Sequence, residues 1–583
     1  MSSFLKLLKP YKGKVSLIFA SIMLANLAGL VFPWIIKIIV DEIIIKKDFA
    51  LLNIAVFWLV LSFVLKSGFG FCREYLSSVI GESVMRDLRN KIYWHLHKLS
   101  VKYVENTPSG KIISGIIGDV ESIKEFLFGG AVDFVYSFFG LIFVVIVLFA
   151  LNWKLALVSV FYLPVFALVF LKFSPRLKMR HSLIREKYGE LTSRLAEVLN
   201  GIRVVAGFSA DKKESEIFNN KQQEIYDVSV SSHRLGVFLW MGAEFLSSLG
   251  LAMLVWFGAK QVILGSISVG TLMAFYAYMG LLFYPVVRLA IINNYYQQAS
   301  ASMERVDELL SKEPEIKDSP QPVGPAKLEG NIIFSEVSFG YDNKKQVLNK
   351  IDFKVNKSEV IALAGKSGSG KTTIINLLLR FYDPAEGRIC IDGYNLRDLP
   401  LKDYRSRIAM VIQDDYLFGA TIKENIAYGK SAVSDEEIIR AAKLANAHQF
   451  IGGLPLGYDT QIGERGIKLS SGQRQRISIA RAILRDPLIL ILDEATSNID
   501  SETERLIIED AFKKLMAGRT TFVISHRLSS VNYADKIIFM EDGRISESGT
   551  HFELLAKKGG YWRMWVSQLP VHAKEPLVEE VEK

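Results

Sequence analysis

The chain has 583 residues, 50% of them apolar and 22% charged, with a formal net charge of +9, which exceeds what one ordinary domain holds. Its two cysteines, Cys72 and Cys390, lie far apart and exclude a disulfide framework or a cysteine zinc site. The basic residues form no compact stripe with interleaved aromatics, so no nucleic-acid partner is expected, and an excess of Lys and Arg in the cytosolic loops of a membrane protein accounts for the charge.

Lys6, Lys9, Lys12 and Lys14 precede an apolar run from Val15 to Val40. The run is too long for the core of a cleaved signal and reads as a retained membrane helix. Five more candidate spans follow, giving six near residues 15–40, 52–76, 127–150, 154–174, 236–259 and 268–292. Each holds about 20 residues or more, enough to cross a hydrocarbon core of about 30 Å. The connections around Asp41–Leu51, Leu151–Lys154 and Gln261–Ser268 are short. The stretches 77–126 and 175–235 are long, polar and helix-patterned, with many Lys and Arg. By the positive-inside rule the long side and the N-terminus are cytosolic, and an even number of spans leaves the C-terminal half there too.

Few ionisable groups fall in or near the spans: Lys37, Lys66, Asp133, Glu244 and Arg288. Such groups face a cavity or interface, snorkel, or pair with one another. Trp240, Phe275, Tyr276, Tyr278 and Tyr284 are candidates for an apolar cavity wall, with lipid contact or helix packing as the alternatives.

A polar helix continues to about Leu310. Ser311–Gly330 then carries Pro314, Pro320, Pro322 and Pro325, a spacing that no helix or central strand survives, and is read as a linker. From Asn331 short β-rich runs alternate with helices: Ile332–Phe334, Val360–Ala364, Ile389–Asp392, Ile408–Gln413, Ile489–Asp493 and Thr521–Ser525. That pattern is an α/β domain. The expected organisation is a membrane domain over 1–310, a linker over 311–330, an α/β domain over 331–570 and a charged, disordered tail over 571–583.

Within the second half, Gly365, Lys366, Ser367, Gly368, Ser369, Gly370, Lys371 and Thr372 match the pattern G-x-x-x-x-G-K-[ST], between the strand Val360–Ala364 and a helix expected over Thr373–Arg380. Glycines there let backbone N–H groups close around phosphate oxygens, and the helix N-terminus adds partial positive charge. Lys371 would reach the β- and γ-phosphates of ATP, and the Thr372 hydroxyl would reach Mg²⁺. About 120 residues on, Leu488–Leu492 is apolar and ends in Asp493 and Glu494. It reads as a buried parallel strand delivering carboxylates to its carboxyl end, Asp493 for Mg²⁺ and Glu494 to polarise the attacking water.

Between these motifs lies Leu469, Ser470, Ser471, Gly472 and Gln473, leading into a helix over Arg474–Leu484. Here the chain resembles the ATP-binding cassette (ABC) transporters, and among them exporters of the multidrug and lipid-flippase type with membrane and ATPase domains in one half-transporter chain. The resemblance covers nearly the whole chain. In the membrane half it rests on span count, long cytosolic extensions and a weak motif at Gly110–Asp119.

The resemblance implies a multi-domain fold: an all-α membrane domain of six helices, then an α/β P-loop NTPase domain with a helical subdomain. It implies that Tyr341 stacks on adenine, that Thr373 and Ser470–Gln473 join the nucleotide contacts, and that Gln413 touches Mg²⁺ and water. It further implies that His526 contacts the γ-phosphate, that Gly463–Gly466 meets intracellular helices and that Ser497–Asp500 crosses a dimer interface. Ser471 stands where the family usually has glycine, a cost if that backbone needs positive φ.

Each site would combine one chain's phosphate loop with the other's Ser470 turn, so the expected assembly is a dimer, a homodimer favoured over a heterodimer. Turns near 107–118 and 201–213 would carry ATPase closure to the membrane helices. The expected function is ATP-driven export or flipping of a hydrophobic or amphipathic cargo, a lipid or drug-like molecule, from a bacterial inner membrane. An ATP-gated channel or regulator and a small-peptide exporter are the alternatives. No leader-cleaving peptidase domain is seen ahead of the spans, against the peptide reading.

Overall fold

The computed structural model describes residues 2–324, 328–341, 345–412, 416–430, 432–463, 466–493, 502–524 and 534–568, with backbone alone at 2–3, 243, 502–505 and parts of 162–178 and 283–291. The chain divides into two compact units, Met1–Lys98 with Thr107–Glu313, and Leu99–Asn106 with Pro314–Lys583.

The first unit is helical. Its long helices are α1 (Lys12–Ile38), α2 (Phe49–Leu96), α3 (Ala131–Leu151), α4 (Trp153–Asn200), α5 (Asp211–Ile263) and α6 (Val269–Ser311). A 48-residue helix such as α2 rises about 72 Å, more than twice a bilayer's hydrocarbon core, so a polar extension continues each long span. Three short connections are closed by side-chain caps. Asp48 accepts from the N–H of Ala50 and Leu51, Asn152 from Leu155, and Ser268 from Thr271, each at 3.0 Å. Each satisfies N–H groups that a helix start leaves without partners.

The helices bury one stripe and expose large apolar side chains on the other, among them Phe57, Trp58, Phe161 and Trp256. Water would penalise that surface, and hydrocarbon does not. Among the described residues four helices are long and apolar enough to cross a membrane: Phe4–Lys46, Phe49–Leu96, Ser109–Leu151 and Asp211–Ile263; Val269–Leu282 is a shorter apolar helix. The spans expected near 154–174 and 268–292 fall on α4 and α6, where some side chains lie outside the described set.

The second unit is α/β. Its strands are β1 (Ile332–Phe339), β2 (Leu348–Val355), β3 (Val360–Gly365), β4 (Glu386–Ile391), β5 (Tyr394–Asn395), β6 (Ile408–Val411), β7 (Ile489–Asp493), β8 (Thr520–Ile524), β9 (Lys536–Glu541) and β10 (Arg544–Gly549). A four-stranded sheet runs β2-β1-β4-β5 and a six-stranded sheet runs β10-β9-β3-β8-β7-β6. Strands β9, β3, β8, β7 and β6 pair parallel. The interior of this sheet reads as near-continuous apolar runs, such as Ile489–Leu492, because both faces are covered. Two apolar cores form, one under β1–β4 with Ile374 and Leu378, the other around Ile426, Ile438, Ile477 and Leu490.

The proline-rich connection is fastened to the second unit. The Val323 N–H donates to the Asp398 carbonyl at 2.9 Å, the Leu401 N–H to Asp318 Oδ1 at 2.8 Å, and Arg380 to the Lys317 carbonyl at 2.9 Å. The short helix Val101–Asn106 also belongs to this unit. Within it Lys102 pairs with Glu315 at 3.7 Å, and Tyr382 donates its hydroxyl proton to Glu105 at 3.5 Å. Pro108 then precedes the next short helix, Ser109–Ser114.

Candidate functional site

Strand β3 runs directly into a loop built on glycine. Gly365 (φ 145°), Gly368 (φ 80°) and Gly370 (φ 102°) all hold left-handed backbone. A Cβ at Gly365 would lie 2.3 Å from the Met540 carbonyl oxygen, and one at Gly370 2.5 Å from Leu348 Cδ2. Conformation and space both demand glycine there. Helix α7 (Lys371–Leu378) starts where the loop ends. Lys371 is 4% exposed. Its ammonium curls back over the loop and donates to the carbonyls of Gly365 (2.9 Å) and Lys366 (2.8 Å), with Ser369 Oγ at 3.5 Å. Lys366, Ser367, Gly368 and Thr372 form the exposed rim, and Ser369, Gly370 and Thr373 are buried beneath it.

Tyr341 stands beside this loop. Its hydroxyl lies 3.2 Å from Thr373 Oγ1 and accepts from Asn376 Nδ2 at 3.1 Å. Phe339 and Tyr382 meet its ring edge-on, with centroids 5.1 Å away in both cases. Edge-to-face contacts fix a ring while leaving a face open for stacking. Burial, with Glu105 adding negative charge, pushes the Tyr382 phenol up to about 12. No sequence signal pointed to Asn376, Tyr382 or Glu105 as supports of Tyr341.

The parallel pairing brings a second group to the same sheet edge. Asp493, the last residue of β7, is in register with Ile524 of β8, and Ile524 with Leu363 of β3, two residues before Gly365. The carboxyl ends of neighbouring parallel strands are where α/β folds place ligands.

The turn at Ser470 is built on the other core, against Leu469 and Ile477. Ser470 caps helix α8 (Ser471–Arg485): its hydroxyl accepts from the Gln473 N–H at 3.2 Å, while Gln473 Oε1 accepts from the Ser470 N–H at 3.0 Å. Ser470 is exposed, Gly472 is buried and Ser471 is the first helical residue. Ser471 is not among the positive-φ residues, so serine replaces glycine there without backbone strain. The expected Gln413, Glu494 and His526, together with Glu464, Arg465 and Ser497–Asp500, lie outside the described residues. The loop Gly365–Thr373 and Asp493 stand at one edge of the six-stranded sheet, with Tyr341 reaching the loop from the end of β1 in the other sheet, and Ser470–Gln473 presents a separate helix N-terminus.

Comparison with known families matches residues 15–286 to the ABC transporter transmembrane region and residues 348–497 to the ABC transporter family. An ATP-dependent lipid A-core flippase of Desulfotalea psychrophila is 39% identical over 560 residues, 96% of this chain and 97% of that protein. The chain is an ABC transporter. Its similarity extends to a Bacillus subtilis ATP-binding/permease protein, YgaD, named for multidrug export: 36% identical over 578 residues, 97% of this chain and 99% of that one. Among solved structures, a bacterial Atm1-family ABC exporter with ATP bound superposes with a TM-score of 0.80 at 28% identity, over 96% of this chain and 98% of that one. The transporter is thus an integral membrane protein with a helical membrane region and an α/β ATPase region. It binds ATP and couples its hydrolysis to export or flipping across the membrane. Half-transporters of this family typically dimerise.

Proposed function

We propose that the transporter works as a homodimer moving a hydrophobic or amphipathic cargo, a lipid or a drug-like molecule, out of the inner leaflet of a bacterial inner membrane, with its ATPase half (331–570) in the cytosol and its membrane half spanning 1–310. The observation that carries this reading is the separation of two anion-binding elements. The glycine cradle with buried Lys371 stands on one core, and the exposed N-terminus of α8 at Ser470 stands on another. A helix start carries about half a positive charge and suits a phosphate. A nucleotide held between two copies would receive Lys371 from one and Ser470–Gln473 from the partner subunit.

In this reading Lys371 neutralises phosphate charge, the rim N–H groups of Lys366–Gly370 hold phosphate oxygens, and the Tyr341 ring stacks on adenine. Thr372, Asp493 and Gln413 would hold Mg²⁺, which when bound spreads the charge of the transferring phosphate. Thr372 and Asp493 fit a hard cation, being an exposed hydroxyl and a strand-end carboxylate at one sheet edge. Glu494 positions the attacking water and His526 contacts the γ-phosphate. Helix Val101–Asn106 reports to the ATPase unit of its own chain. The second cytosolic turn, Ile202–Gly207 followed by Phe208, leaves Val204 and Phe208 open, Phe208 at 82%. We assign that apolar tip to the ATPase domain of the partner subunit.

The test mixes two dead chains. Lys371→Ala spoils one half of a site and Ser470→Arg the other. If sites form between chains, mixed dimers hold one intact site and recover ATP turnover. If mixed dimers stay as inactive as each variant alone, the shared-site homodimer is wrong.

A further inference from the structure

The ionisable groups of the membrane helices are mostly spoken for. Lys37 pairs with Asp41 at 3.9 Å, and Arg288 with Asp133 at 3.3 Å. Glu244 differs: among the described residues no cation comes within ion-pair distance of it. It lies on α5, eight residues into the span expected over 236–259, about 12 Å of helical rise from the cytosolic end. An ionised carboxylate at that depth is costly unless something positive meets it.

Glu244 opens into a cavity of about 420 Å³ between α5 and α6, lined also by Trp240, Ser247, Ser248, Tyr276 and Met279. It is the only carboxylate among the described lining residues. Trp240 and Tyr276 are half exposed, and aromatic faces attract cations most strongly where water is excluded. The two serines add hydroxyl acceptors. Of the other aromatics named from the sequence, Phe275 and Tyr278 do not join this wall, and the Tyr284 side chain lies outside the described residues. Phe275 and Tyr278 are fully buried in helix packing, where Tyr278 donates to the Leu30 carbonyl at 2.8 Å. Lys66 lines a different cavity, beside Asn26 and Gly29.

We infer that the α5–α6 cavity is a recognition site for lipophilic cations, with Glu244 as counter-ion and Trp240 and Tyr276 as aromatic walls. The inference rests on the export reading and narrows its cargo to molecules with a positive centre on an apolar body. A cation of this kind supplies both what the carboxylate lacks and what the walls favour. A neutral or anionic amphiphile satisfies only the walls.

The experiment uses the full-length transporter in lipid nanodiscs without nucleotide. Equilibrium binding of radiolabelled tetraphenylphosphonium is compared with that of neutral triphenylphosphine oxide. Saturable binding of the cation to the wild type is expected, weakened about ten-fold or more by Glu244→Gln and kept by Glu244→Asp. The neutral compound should bind wild type and Glu244→Gln alike, which shows that the cavity survives the substitution. Absence of saturable cation binding, or equal cation affinity in wild type and Glu244→Gln, overturns the inference. ATP-dependent movement of a labelled lipid in vesicles is measured separately. Its presence without cation binding leaves export standing and removes the Glu244 site, whereas its absence beside intact cation binding removes export instead.

Discussion

Arg305, near the end of α6, grips the buried carboxylate of Asp119: its Nε lies 3.0 Å from Oδ2, and a terminal nitrogen binds Oδ1. Ser302 donates to the same Oδ1 at 2.9 Å. Asp119 sits in the polar extension before α3, next to Val120 and Ile123, which share a core with Met303 and Val306. The ion pair thus locks the polar end of α6 onto the segment that leads into α3.

Removing the acid strands two donors at once. Asp119→Ala should lower stability by about 1–3 kcal/mol, since Arg305 and Ser302 lose a charged acceptor. Arg305→Lys, tested on its own, should lose a smaller part of that stability, because a lysine keeps the charge but cannot reproduce the planar fork. The melting temperature of the detergent-purified transporter reads both.

Gly270 sits where α6 begins. Its N–H donates to Asp41 Oδ1 at 2.8 Å, and a Cβ there would fall 2.5 Å from the Lys37 carbonyl oxygen. Gly270→Ala must therefore push two helices apart, at a cost of about 1–3 kcal/mol. Gly189→Ala on α4 meets nothing within 4 Å and should be neutral or mildly stabilising, since alanine is the better helix former. Thermal unfolding of the two variants side by side decides.

Asp392 ties the end of the linker to the ATPase unit. It accepts from the N–H groups of Glu329 (2.7 Å), Gly330 (3.0 Å) and Asn331 (2.9 Å), and from Asn331 Nδ2 (2.8 Å). Burial pushes its carboxyl up, but the donors outweigh burial and hold it below the usual aspartate range. A depressed folded value means that the stabilisation is complete above the unfolded pKa, about 4, and is lost as pH falls through the folded one. Denaturant titrations from pH 7 to pH 3 should show that loss. Asp392→Asn should be less stable at neutral pH and show a flatter profile below pH 4.

Glu494→Gln should cut ATP turnover about 10²–10⁴-fold while ATP binding persists and a closed, nucleotide-bound dimer accumulates. Phosphate release and nucleotide binding on the same preparation give both numbers. Undiminished turnover would remove Glu494 as the base.

What was legible in the sequence was what local chemistry dictates. The phosphate loop could be read because Gly365 and Gly370 answer to backbone conformation and to clashes that only glycine avoids. The short turns were read from the apolar runs that flank them, and the structure adds that Asp48, Asn152 and Ser268 cap the helices that follow. The linker could be read from its prolines, though not that Asp318 and Val323 are pinned to the ATPase unit. Strands β2 and β9 escaped the reading, since a run such as Lys536–Glu541 carries no motif. The aromatics of α6 share a composition and differ in helical phase, so Phe275 and Tyr278 are packed while Tyr276 lines a cavity. Support of Tyr341 by Tyr382 was invisible because it joins residues 41 positions apart through a fold that neither specifies.

The eight residues Leu99–Asn106 belong to a unit whose remaining chain begins at Pro314. Glu105 leaves the ribosome 277 residues ahead of the Tyr382 it bonds. This unit is therefore discontinuous in the gene, and its early piece must wait through the synthesis of helices α3 to α6 before its docking surface exists. A fragment started at the linker would be born with that surface bare, and biosynthesis of the intact molecule has a built-in order, membrane insertion first and closure of the catalytic half last.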